Sequence, residues 1–117
     1  MEELFDYNTA LEMVDNDKDL LKILLDGFLY EAPFDKDKLL ELIQKTDYEE
    51  GAHYVHRVKG AARQLAAKPL AAKGQELEDM LRGKTERNAD KLVSLADEFA
   101  ELYKQTHSVI EEAEKKL

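Results

Sequence analysis

The chain has no cysteine, no tryptophan, only two prolines and five glycines, and no long apolar run. Without cysteine there is no disulfide and no thiolate to act as nucleophile or metal ligand, and a reducing cytoplasm is the expected setting. The scarcity of breakers leaves most of the chain free to be helical. No apolar stretch approaches the ~20 residues that a membrane-spanning helix needs. The acidic start, MEELFDYN, lacks the apolar segment of a signal peptide. Bases are in the minority, 17 against 26 acids for a net charge of −9, which argues against general nucleic-acid binding. No segment alternates apolar and polar residues with period two, so strands are not expected.

What is present points to a helical domain. A length of 117 residues suits one domain spanning 1–117, long enough to bury a core. NTALEMV reads as a short helix capped by Asn8 or Thr9. Leu20, Leu21, Leu24, Leu25, Phe28 and Leu29 recur at helical spacing behind Asp15, Asn16 or Asp17 as cap. Pro33 ends that helix and is placed to open the next, which carries Phe34, Leu39, Leu42 and Ile43. Asp47 and Glu50 resemble a capping box for a fourth helix reaching near Ala67, which Pro69 stops. A fifth runs from Pro69 to Gly83. From about Asn88 a last helix carries a stripe of Leu92, Leu95, Phe99, Leu102, Val109, Ile110 and Ala113. The expected fold is all-α: an antiparallel four-helix bundle with an additional short N-terminal helix.

The fourth helix holds an anomaly. HRVKG, His56 to Gly60, puts a titratable ring and a helix-weakening glycine within about one and a half turns. At about 100° per residue, Gly51, Val55, Val58, Ala62, Leu65 and Ala66 share one core-facing arc. Glu49, Ala52, His53, His56, Lys59, Gly60, Arg63 and Ala67 share another, centred about 140° away. His56 therefore stands on an outer or flanking face. Gly60 clears the space beside the ring for an approaching protein, and Lys59 can steady an anion placed on it. Neutral imidazole is a good nucleophile at cellular pH. From His56 to Lys73 there are five bases and no acid, a local patch suited to an anionic partner site. The plain alternative is a surface histidine with no role on an inert interaction bundle.

HRVKGAARQLAA resembles the histidine-containing phosphotransfer (HPt) motif, H-x-x-K-G followed by small residues, and the helical run from Asp6 to Leu81 is similar to that family's. The resemblance implies that His56 accepts a phosphoryl group from a receiver-domain aspartyl phosphate and passes it to another receiver. It implies that Lys59 stabilises phosphoryl oxygens and that Gly60 gives the partner access, with Arg63, His53 and Ala67 on the same face. It implies no cofactor and no ATP site of its own, Mg²⁺ being supplied by the receiver, so the chain is a carrier and not a kinase. A phosphotransfer domain of a chemotaxis-type kinase, cut from a longer chain, is the nearest alternative. Ala66 departs from the glycine, and Gln64 from the asparagine, often found in the family.

Other constellations are weaker. His53 and His56, with Glu49, lack the H-E-x-x-H spacing and a third strong ligand, so no metal site is expected. GKT at Gly83–Thr85 lacks the first glycine of a phosphate-binding loop. His107 reads as a surface residue. Glu78 resembles an acid that hydrogen-bonds the histidine in chemotaxis-kinase phosphotransfer domains, but by position it reads as a solvated helix residue.

Overall fold

The computed structural model describes residues 3–117; Met1 and Glu2, the first two residues of the acidic stretch read against a signal peptide, lie outside the described residues. The helices are α1 (Tyr7–Met13), α2 (Lys18–Asp26), α3 (Lys36–Gln44), α4 (Tyr48–Gln64), α5 (Lys68–Leu81) and α6 (Ala89–Glu114). A π-helical turn, Gly27–Glu31, continues α2. Among the described residues there is no strand, and no helix is long and apolar enough to cross a membrane. The all-α expectation holds.

Short polar side chains start every α-helix but α5 by accepting a first-turn N–H. Asp17 caps α2 and Asp47 caps α4. The capping box at Asp47 is only half made, because the Asp47 N–H donates to Leu42 O at 2.9 Å. Asn8 and Thr9 do not cap α1. Asp6 does, accepting from Thr9 N at 3.2 Å and from Thr9 Oγ1 at 2.7 Å. Nor does Pro33 open α3; Asp35 caps it by accepting from Asp37 N at 3.0 Å. The connector before it is pinned instead. Its Asp35 N–H donates to Tyr54 Oη at 2.6 Å, and the Phe34 ring lies 5.4 Å from Tyr54 and 5.0 Å from Phe99, edge-on to the latter.

The fourth helix ends at Gln64, earlier than expected, because Ala66 takes φ +57. Ala67 N–H then reaches back to Ala62 O at 2.9 Å and Ala66 N–H to Arg63 O at 3.2 Å, a left-handed helix ending. Pro69 breaks nothing: it lies in the first turn of α5, where it loses no hydrogen bond. A left-handed alanine is strained where glycine is not. Ala66→Gly is therefore expected to stabilise the fold by about 1 kcal/mol. Urea unfolding checks this, and a lower midpoint would count against it.

Val55, Val58, Ala62 and Leu65 are fully buried, as the stripe on α4 predicts. They meet Leu21, Leu25 and Phe28 from α2 and the π turn, Leu70, Leu77 and Leu81 from α5, and Leu92, Phe99 and Ile110 from α6 in one core. Two stripe members are wrong: Leu20 and Val109 are exposed, each one helical step outside a buried neighbour. The buried face of α4 is also wider than expected, since Ala52 and Lys59 are enclosed as well. The reason lies on α5. A Cβ at Gly74 would stand 3.1 Å from Lys59 Cβ and 3.0 Å from Phe99 Cε1, so the missing side chain lets α5 close over the Lys59 stem.

Candidate functional site

His56 projects from the middle of α4 with 59% of its side chain exposed. Its Nδ1 lies 3.1 and 3.2 Å from the two carboxylate oxygens of Glu78 on α5. Glu78 is not the solvated residue expected: its side chain is 7% exposed. Lys59 Nζ holds Glu78 Oε1 at 2.7 Å and Arg82 Nε holds Oε2 at 2.8 Å. Burial pushes the Glu78 carboxyl up, but hydrogen bonds from Lys59, Arg82 and His56 outweigh it and hold it down at about 2. An ionised carboxylate only accepts. The ring proton therefore sits on Nδ1, and in the neutral ring the lone pair is on Nε2. That nitrogen has no hydrogen-bond partner among the described residues.

Lys59 is likewise not an exposed ammonium. It is buried, and besides Glu78 it donates to Gln75 Oε1 at 2.9 Å. Arg63 is exposed and donates to the same oxygen at 3.1 Å. Gln75 in turn donates to Asp79 at 2.7 Å. The basic run is thus not a free patch, because Lys59 and Lys73 are both paired with carboxylates.

Gly60 stands as expected: a Cβ there would have nothing within 4 Å. It lines a groove of about 330 Å³ with His56 and Gln64, opposite Gly27, Phe28 and Glu31 of the π turn. His53 is exposed but borders a different hollow, with Lys38 and Arg57. Ala67 cannot meet a partner, since it is fully buried; the left-handed ending after Leu65 turns it inward. His107 is a partly buried member of an aromatic cluster with Phe28 and Tyr103, and its Nε2 lies 3.4 Å from Leu29 O. Among the described residues no three His, Asp or Glu side chains gather as a metal site.

A family model described as Hpt domain matches residues 23–112. The chain belongs to the Hpt domain family. No curated protein and no solved structure matches it. Hpt domains are histidine phosphotransfer carriers of two-component phosphorelays, not autokinases, and they interact with receiver domains. Sequence reasoning undervalued Glu78 and did not single out Gln75 or Arg82. The one local sign was the i, i+4 pair of Glu78 and Arg82; their tie to His56 exists only in the packing of α5 on α4.

Proposed function

We propose that His56 is the phospho-accepting residue of this Hpt domain, taking a phosphoryl group on Nε2 from a receiver aspartyl phosphate and passing it to a second receiver. The observation that carries this is the exposed ring whose Nδ1 is held by Glu78 while Nε2 has no hydrogen-bond partner among the described residues. Glu78 orients the ring, and buried Lys59 holds Glu78 and lends positive charge beside the incoming phosphoryl group. Gly60 and the groove next to it admit the receiver's acidic pocket, and exposed Arg63 and His53, which lie outside that groove, extend the docking surface on α4. The receiver brings the Mg²⁺, and this chain needs no cofactor or ATP site. Residues 1–117 act as one domain, an antiparallel bundle of α2, α4, α5 and α6 with α1 as the short additional N-terminal helix, in the cytoplasm.

The contact between Glu78 and His56 also favours a second reading, a phosphotransfer domain serving a chemotaxis-type kinase. The experiment that tests both supplies phosphorylated receivers in one arm and an ATP-loaded kinase domain in the other. Acid-labile label from receivers supports the relay carrier, label from the kinase alone supports the second reading, and none from either rejects both.

Gly60 has its own test. With open space at its Cβ, Gly60→Ala is expected to stabilise α4 by about 1 kcal/mol. Gly60→Gln is expected to fold normally and transfer at least about tenfold more slowly, because a side chain beside the ring displaces in-line attack. Thermal unfolding and label transfer read the two effects separately; full transfer by the Gln variant removes the clearance role.

A further inference from the structure

We propose that Arg82 is a positioning residue for transfer at His56: it holds one oxygen of Glu78 against the pull of Lys59 on the other, and so aims the carboxylate at the ring. This rests on His56 being the acceptor. The geometry is symmetric. Lys59 Nζ is 2.7 Å from Oε1, Arg82 Nε is 2.8 Å from Oε2, and His56 Nδ1 lies between, 3.1 and 3.2 Å from the two oxygens. With Lys59 alone the carboxylate would be tethered at one end and free to swing. Arg82 closes α5 as its C-cap, one turn beyond Glu78, and a guanidinium fixes direction as well as charge.

The test is NMR of the His56 Nδ1–H proton, which Glu78 holds, together with labelling from a phosphorylated receiver, in the full chain. Arg82→Ala is expected to speed exchange of that proton with water about tenfold, because a swinging carboxylate no longer holds it, and to slow labelling about threefold to tenfold. Arg82→Lys is expected to restore both in part. In a Glu78→Gln background Arg82→Ala should slow labelling no further, because its route to the ring is gone. Unchanged exchange of that proton with Arg82→Ala overturns the proposal. Equal slowing in both backgrounds also overturns it, since Arg82 would then act on the receiver directly. A parent that takes no label rejects the phosphotransfer reading, while the exchange of the ring proton still judges the hold of Arg82 on the ring.

Discussion

Lys59→Ala is expected to lower the unfolding free energy by about 3 kcal/mol, because it strands part of a buried carboxylate. Arg82 still reaches Oε2, which keeps the loss at the lower end for a broken buried pair. The double variant Lys59→Met, Glu78→Gln should recover part of it, since no charge is then buried without a partner. The same pairing makes stability depend on acid. The Glu78 carboxyl is held at about 2 against an ordinary value of 4.5. A group depressed in this way stabilises the fold fully above the unfolded value and loses that contribution as pH falls through the folded one. The linkage amounts to about 3 kcal/mol, lost between about pH 4.5 and pH 2. Urea unfolding at pH 7, 4.5, 3 and 2 measures it. Glu78→Gln should flatten that part of the curve; an equally steep fall in the variant would assign the acid sensitivity elsewhere.

His56→Gln is expected to lose all acid-labile labelling from a phosphorylated receiver and to stay folded. Most of the ring is in solvent, so its replacement costs about 0.5 kcal/mol or less, and the amide of glutamine can still donate to Glu78. His53→Gln should keep full labelling. His107→Gln should keep it too, but with lower stability, because that ring packs against Phe28 and Tyr103. Circular dichroism and gel labelling of the three variants side by side separate loss of chemistry from loss of fold.

The order of the helices was legible because breakers are few and the caps local: Asp17 and Asp47 stand where their helices start. The end of α4 was not, because Ala66 takes the left-handed conformation that glycine would have advertised. His56 and Gly60 were legible on α4 itself, as exposure and open space at one face. Lys59 was misjudged because a helical wheel knows only its own helix. Whether a flanking position is covered depends on the neighbour, and Gly74 on α5 is what lets the neighbour close. Glu78 meets His56 across 22 residues of sequence, a contact with no local periodicity to reveal it. Ala67 shows the opposite error, an outward wheel position turned inward once the helix had ended.

The central claim is that Nε2 of His56 carries the phosphoryl group, and NMR of the protein charged by an acetyl-phosphate-loaded receiver tests it most directly. The account predicts one phosphohistidine phosphorus signal, coupled to Nε2 of residue 56, that disappears in acid. A phosphoryl group on Nδ1 of His56, on His53 or on His107 would contradict it, as would a charged receiver that leaves all three rings unmodified.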